Sequence, residues 1–430
     1  MELDNIVEKE FGKSKKFKAF NKEEFRTSVI KRIIQECKDD FDLLVRTRKI
    51  NRPLIKFLNK IGKIEYKYQH IPYIAIKTSN REGKELLKHF YEDRDSTLIK
   101  EYRNQINLLS LIDVASNFRI EPKPESKVIK SILEEELWNL SMIGAYYAQR
   151  FSLGEDVNIA IIDSGVDYNH KELKDNFGLT KGYDFIRDNK DPFDYNGHGT
   201  HVAGIIAGKN TGIAHKSKLL ALRVLDESGV GSEFNLIRAL EYCLDSDVDL
   251  VNLSMGSQYA SEALEEVCAQ ASKKITLVAA AGNDGGYSAN FPAAFGESVI
   301  SVASVNRHKK HSYFSNLHET VDICAPGEDI YSTIPNDKYD RYSGTSMATP
   351  HVTGSLALAT SLIKNSIFLE ELMKSSAEKI NEELAFPKEY AFGFGLIRVD
   401  KIVSKLKNNL KKKRFTNKKG WLKKVMQYVR

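Results

Sequence analysis

Four short segments of this chain carry the residue types that attack a carbonyl group. In chain order they are Ile161-Ile-Asp163-Ser-Gly165, Gly197-His198-Gly-Thr-His201, Ala280-Ala-Gly282-Asn283 and Gly344-Thr-Ser346-Met-Ala-Thr-Pro350. They offer a carboxylate, an imidazole, an amide donor and a hydroxyl. A serine hydroxyl is a poor nucleophile until a neighbour takes its proton, and imidazole suits that task near neutral pH. A carboxylate can fix the imidazole tautomer and stabilise the imidazolium. A side-chain amide beside a backbone N–H can hold a developing oxyanion. The candidates are therefore Ser346 as nucleophile, His198 as general base, Asp163 as its orienting partner and Asn283 as oxyanion donor. Each has a plainer reading alone: an N-cap serine, one of ten histidines, a turn aspartate, a Gly-Asn turn. Their joint occurrence in order outweighs those readings.

These residues need elements to position them. Apolar runs occur at Val157–Ile162, Leu219–Leu225, Leu250–Ser254, Ile275–Ala281 and Val299–Val305, with helical segments such as 233–245 and 260–273 between them. Continuous apolar strands alternating with helices predict an α/β fold, a parallel sheet covered on both faces. Ligand sites in such sheets lie at the carboxyl ends of the strands. Asp163 and the Gly282-Asn283 pair fall at two such ends. Ser346 opens an Ala/Leu-rich helical stretch running to about residue 363, where backbone N–H groups and the helix dipole favour an oxyanion.

The four motifs, with Asn169-His170-Lys-Glu-Leu173 continuing the first, resemble those of the subtilisin-like serine proteases, the subtilases. The resemblance covers about residues 131–407 and ends on Phe392-Gly-Phe-Gly-Leu-Ile-Arg398. It implies a subtilisin-like sheet and a serine endopeptidase acting through an acyl-enzyme, with the first histidine of His198-Gly-Thr-His201 as the base. His170, His201 and His351 then read as structural hydrogen-bonders near the site. By the same resemblance, Ser254, Met255 and Gly256 pair with an extended substrate and line the primary pocket. Ala281 and Gly282 form the opposite wall and Asn290 lies near the floor. The chemistry requires no cofactor and no metal. Many relatives bind a structural calcium in a loop that is shortened here, where Asn210 leads directly to Thr211-Gly-Ile-Ala214. Calcium takes roughly six to eight oxygen ligands, so that site is not expected; calcium elsewhere stays an open alternative.

Composition bounds the rest. The chain has 430 residues, 42% hydrophobic, without a run of about 18 apolar residues that would span a membrane. The N-terminus lacks the basic-then-apolar pattern of a secretory signal. The four cysteines, Cys37, Cys243, Cys268 and Cys324, show no metal-ligand spacing, which favours free thiols in a reducing compartment. A cytoplasmic location is the expectation, with export by a non-standard route as the alternative. The net charge of +6 comes from the tail: residues 401–430 hold twelve Lys/Arg and no Asp/Glu, leaving 52 basic against 58 acidic residues, or −6, in the body. That argues against a nucleic-acid partner. Trp421, Leu422, Val425, Met426 and Val429 give the tail a basic amphipathic pattern suited to an anionic membrane surface. Gly420 interrupts it, and a solvated extension is the reading favoured.

Residues 1–125 form a separate α+β module by pattern. Strand-like runs Ile64–Tyr68 and Tyr73–Lys77 flank a turn at Gln69–Pro72. Helices fit 22–38 and 82–92, a strand fits Thr97–Arg103, and Glu121–Ser126 reads as a linker. The module resembles the propeptides of the subtilases, which implies a self-processing zymogen whose own N-terminal module is its folding helper and intramolecular inhibitor, cut between about 115 and 150. The combination looks most like the intracellular branch of the family. The expected organisation is thus 1–125 propeptide-like module, 131–407 catalytic domain and 408–430 basic tail, with peptides or proteins as substrates. The alternatives are a dedicated maturation protease for one peptide leader, of bacteriocin type, and a non-catalytic binding protein on the same scaffold.

Overall fold

The computed structural model describes residues 41–47, 52–78, 109–114, 117–119, 137–363 and 366–415. The helices expected at 22–38 and 82–92, the strand at 97–103, the linker at 121–126, Cys37 and the Trp421–Val429 pattern lie outside the described residues. In chain order the elements are β1 (Phe41–Thr47), α1 (Arg52–Ile61), β2 (Lys63–Lys67), β3 (Tyr73–Thr78), β4 (Leu109–Val114), β5 (Asn117–Arg119), α2 (Trp138–Ile143), β6 (Asn158–Asp163), β7 (Gly182–Asp184), α3 (His198–Ala207), β8 (Lys218–Arg223), β9 (Val230–Ser232), α4 (Glu233–Leu244), β10 (Leu250–Leu253), α5 (Glu262–Ala271), β11 (Thr276–Ala280), β12 (Ile300–Val305), β13 (Val321–Pro326), β14 (Ile330–Ile334), β15 (Lys338–Tyr342), α6 (Thr345–Leu362), α7 (Ser366–Ser376) and α8 (Val399–Phe415). The five apolar runs thus become β6, β8, β10, β11 and β12. Helix α8 runs through residue 407 to Phe415, so the start of the basic tail continues a helix. Among the described residues no helix is long and apolar enough to cross a membrane.

The chain divides into two compact units. The larger comprises residues 119–230, 246–258 and 271–430. The seven strands of its main sheet lie in the order β13-β12-β11-β10-β6-β8-β7, and every neighbouring pair is parallel. β10 and β12 are buried at every position, as a parallel sheet covered on both faces demands. After β6 the chain runs out to β7 at one edge and places β8 between β7 and β6, then crosses to build β10 to β13 in turn on the other side. The order reverses around β6, and a crevice opens at the carboxyl end of such a switch strand. Helix α6 is buried from Thr345 to Thr360. A helix apolar all round belongs in a core, and α6 packs against β10, β11, β12 and β13.

The smaller unit comprises residues 1–118 together with 231–245 and 259–270. Its sheet has the order β2-β3-β1-β4, all antiparallel, with Leu44 facing Ala75 and Val45 facing Ile112 in register. The strands and turn expected at 64–77 are β2 and β3. Tyr73, Ile74, Ala75 and Ile76 are all buried. Successive side chains point to opposite faces, so both faces of this sheet are covered. α1 packs on β2 and β3, and α4 and α5 complete the unit. The N-terminal module is therefore not closed within residues 1–125; it shares a compact unit with two helices from later in the chain. The β2–β3 turn docks on α4, where Glu241 Oε1 accepts the N–H groups of Gln69 and His70 at 2.8 and 2.7 Å. Tyr66 and Tyr68 meet the Phe234 ring edge-on, and Arg238 lies over Tyr66. β5 and β9 form a separate two-stranded sheet. Cys243, Cys268 and Cys324 are free and buried, and burial pushes each thiol pKa up.

Candidate functional site

Asp163 ends β6, at the switch of the large sheet, and is fully buried. Its carboxylate meets His198 Nδ1 at 2.9 and 3.0 Å through its two oxygens, and Oδ1 also accepts the Ser164 N–H at 2.7 Å. His198 is the first residue of α3, whose residues are buried throughout. The chain enters this helix through Gly197 at φ 101°, a left-handed conformation that glycine adopts without a Cβ penalty. Gly199 is needed for a different reason. A Cβ there would stand 2.0 Å from the Gly165 carbonyl oxygen and 3.1 Å from Asp163 Oδ1. An imidazole held this way at Nδ1 presents Nε2 as the proton acceptor.

Ser346 is the second residue of α6, behind Gly344 at the N-cap. Its hydroxyl donates to the Ser254 carbonyl at 3.1 Å. In return Ser254 Oγ donates to the Ser346 carbonyl at 2.8 Å and accepts from Asn252 Nδ2 at 2.9 Å. Asn283 follows β11. Its Oδ1 accepts two donors from Thr345, the backbone N–H at 2.8 Å and the hydroxyl at 2.9 Å. With the carbonyl end of the amide so engaged, the Nδ2 end turns the other way. A Cβ built on Gly344 would lie 3.4 Å from Asn283 Nδ2 and 3.6 Å from Ser346 N. Two N–H donors thus border one point next to the serine. Both are N–H donors, the type of group that can hold an oxyanion.

The expected substrate segments also adjoin. Ser257 and Phe291 exchange backbone hydrogen bonds at 3.0 and 2.8 Å, tying 254–257 to the strip carrying Asn290. Asn290 Nδ2 donates to the Ala280 carbonyl at 2.8 Å. A Cβ on Gly256 would strike that Asn290 amide at 2.0 Å, and one on Gly282 would approach Asn290 Cβ at 2.9 Å. The Asn290 side chain therefore lies between the two segments. Ser254 and Met255 are buried, as is Ala281, whose N–H donates to the Val302 carbonyl at 3.0 Å. The Ser254 side chain is turned towards Ser346.

The remaining histidines near the motifs are structural. His201 Nε2 meets the carbonyls of Ile330 and Asp340, and its ring stacks on Tyr342. His170 Nε2 meets the Lys338 carbonyl. His351 bridges Asn139 and the Met347 carbonyl, and burial lowers its pKa to about 4. In the shortened loop, Glu172 accepts the N–H and Nδ2 of Asn210 at 2.6 and 2.8 Å and the Tyr339 hydroxyl at 2.9 Å. The described residues hold no group of three or more His, Cys, Asp or Glu placed to hold a metal ion. Sequence reasoning did not single out Thr345 or Asp194. Thr345 stands inside a quoted motif, but its bonds to Asn283 cross 62 residues and leave no local trace. Burial raises the Asp194 carboxyl pKa, against hydrogen bonds from Gly197, Thr200 and Asn196 that pull it down.

The chain is similar in sequence to known serine proteases. The thermophilic serine proteinase of Bacillus sp. (strain AK1) is 41% identical over 229 residues, which is 52% of this chain and 57% of that protein. The minor extracellular protease Epr of Bacillus subtilis (strain 168) is 30% identical over 368 residues, 80% of this chain and 53% of Epr. The major intracellular serine protease of the same strain is 35% identical over 287 residues, 63% of this chain and 85% of that protein. This chain therefore spans little more than half the length of the first two. The Epr alignment covers about 344 of the 430 residues, more than the 300 that follow position 130, so it enters the N-terminal module. The model of the subtilase family matches residues 154–395, more than half of the sequence and the stretch that contains Asp163, His198, Asn283 and Ser346. The chain belongs to the subtilase family.

Proposed function

We propose that this chain is a serine endopeptidase that hydrolyses peptide bonds through an acyl-enzyme. The observation that carries the reading is the buried Asp163–His198 hydrogen bond, with Ser346 and the Asn283 amide bordering a common point. In the proposed reaction the Ser346 hydroxyl leaves the Ser254 carbonyl for His198 Nε2. Catalytic hydrogen bonds often tighten only when substrate binds. Ser346 Oγ attacks the scissile carbonyl carbon as its proton passes to Nε2. Asp163 holds Nδ1–H and stabilises the imidazolium. The oxyanion takes hydrogen bonds from Asn283 Nδ2 and the Ser346 N–H. On collapse, the C–N bond breaks and the leaving amine takes the proton from His198. Water then attacks the ester by the same route. The chain's own groups supply each of these steps without a cofactor.

Peptide or protein substrates are held in this reading as an extended strand, with Ser254, Met255 and Gly256 on one side, Ala281 and Gly282 on the other, and Asn290 at the floor. The N-terminal module acts as an intramolecular inhibitor in a self-processing precursor. Its sharing of a unit with α4 and α5 supports this, since both helices fall inside the family match. Intact mass over time at neutral to alkaline pH tests both statements. Loss of roughly the first 115–150 residues from wild type but not from Ser346→Ala is expected. A fluorophosphonate probe should label the mature wild type and spare the variant. Absence of labelling after removal of the module would refute the protease reading. Cleavage of a panel of unstructured proteins at many sites would oppose a dedicated leader peptidase.

A further inference from the structure

A second buried carboxylate stands beside the Asp163–His198 pair and has no part in the reaction as written. Asp194 is 1% exposed. Its Oδ1 accepts the Ser164 hydroxyl at 2.9 Å, the Asn196 N–H at 2.9 Å and the Gly197 N–H at 2.7 Å. Its Oδ2 accepts the Thr200 N–H at 2.9 Å and the Thr200 hydroxyl at 2.6 Å. The donors fall on both sides of the pair. Ser164 follows Asp163 in the chain and donates its N–H to it. Asn196, Gly197 and Thr200 surround His198. Ser164 Oγ also accepts the Gly199 N–H at 3.0 Å.

Part of this is capping. Helix α3 has a glycine at its N-cap and hence no side-chain cap, and Asp194 accepts the first-turn Thr200 N–H in its place. That cap needs only Oδ2. The branch from Oδ1 through Ser164 to Gly199 satisfies a further first-turn N–H of α3, and in doing so it links the end of β6 to the start of α3, the two elements that carry the pair. Five donors converge on the two oxygens, so an amide at 194 would turn an NH2 group towards groups that already donate.

We propose that Asp194 is a positioning residue that sets the Asp163–His198 geometry through Ser164 and the first turn of α3. The effect on turnover rests on the protease reading; the effect on the pair does not. The test compares Asp194→Asn and Ser164→Ala in the full chain, each with Ser346 intact and with Ser346→Ala. With Ser346 intact, Asp194→Asn is expected to lower kcat on a chromogenic peptide by on the order of 100-fold with KM unchanged, the scale of a small misplacement of a reacting group. Ser164→Ala, which leaves the Thr200 cap in place, is expected to lower kcat by about tenfold. In the Ser346→Ala background, proton NMR reads the low-field Nδ1–H resonance of His198 against Asp163. Both substitutions should move it upfield and broaden it by exchange. A resonance and a kcat that match wild type in both variants would overturn the proposal. Where Asp194→Asn does not fold, Ser164→Ala decides alone. A wild type that cleaves no peptide would sink the protease reading, and the resonance would still decide this one.

Discussion

Replacing Thr345 with valine isolates the control of the Asn283 amide. Asn283 Oδ1 accepts the Thr345 N–H at 2.8 Å and the Thr345 hydroxyl at 2.9 Å. Valine removes the second bond, keeps the first and nearly preserves volume. A neutral hydrogen bond contributes about 1 kcal/mol net. If all of it is expressed as a looser amide in the transition state, kcat falls about fivefold. Asn283→Ala should cost far more, about 100- to 1000-fold. Thr345 Oγ1 also accepts the Gly282 N–H at 3.2 Å, so the valine variant leaves a buried donor unpaired and loses about 1–3 kcal/mol of stability. The assay is kcat and KM on a chromogenic peptide through a double-mutant cycle, with unfolding measured alongside. Thr345→Ser keeps the hydroxyl and should retain wild-type kcat. In an Asn283→Ala background, Thr345→Val should leave kcat unchanged, because its effect passes through the amide. The same fivefold loss in that background would refute the reasoning.

Three further outcomes follow from other parts of the molecule. Burial lowers the His351 pKa to about 4 from an ordinary 6.5. Above pH 6.5 both states are neutral there; as pH falls towards 4 only the unfolded chain takes the proton, so about 3 kcal/mol of stability is lost across that window. Denaturant unfolding of Ser346→Ala with and without His351→Gln should show a shallower acid slope in the double variant, and equal slopes would count against it. Glu172 already accepts three hydrogen bonds, and the Gly212 and Ile213 carbonyls accept the Gln149 amide, so EDTA should shift Tm by less than about 2 °C; a much larger drop would reveal a structural cation. Glu241→Ala strips the acceptor from the Gln69 and His70 N–H groups, and limited trypsinolysis of the module in a Ser346→Ala chain should speed up by about tenfold.

What the sequence revealed depended on how local the signal was. β6, β8, β10, β11 and β12 were legible because a strand buried on both faces reads as an unbroken apolar run, and Asp163 and Asn283 were legible as polar residues at or just past their ends. Ser346 was legible because α6 begins beside it. The hairpin β2–β3 announced itself through alternation and a turn with Pro72. By contrast, strand order depends on pairings between residues such as Ile159 and Leu250, and no short window encodes those. Asp194 escaped for the same reason: its importance lies in the donors that surround it, while in sequence it is one acidic residue in a polar loop. The grouping of α4 and α5 with the N-terminal sheet also went unseen. Their sequence pattern shows that each has a buried face, but not that α4 also meets Tyr66, Tyr68 and the β2–β3 turn or that α5 meets Arg46.

That grouping bears on how the N-terminal module would leave if it is the inhibitor proposed above. The sheet β2-β3-β1-β4 keeps its own apolar core in Leu43, Val45, Leu58, Ile74 and Ile76, all buried. Among the described residues its contacts with α4 and α5 include polar and aromatic ones. Glu241 receives two backbone N–H groups, His70 meets Asp245 at 3.0 Å, Arg46 meets Glu266 at 3.2 Å, and three aromatic rings touch edge-on. Water can replace each polar partner when such contacts open, so separation need not strand buried charges. Whatever apolar surface parts with these contacts costs about 25 cal/mol for every Å² re-exposed. Contacts through a carboxylate, a turn and ring edges orient the module, and water can take over their polar part on release. If the module departs on maturation as proposed, Phe234, Arg238 and Glu241 become solvated together, and all but the phenylalanine are side chains that tolerate it.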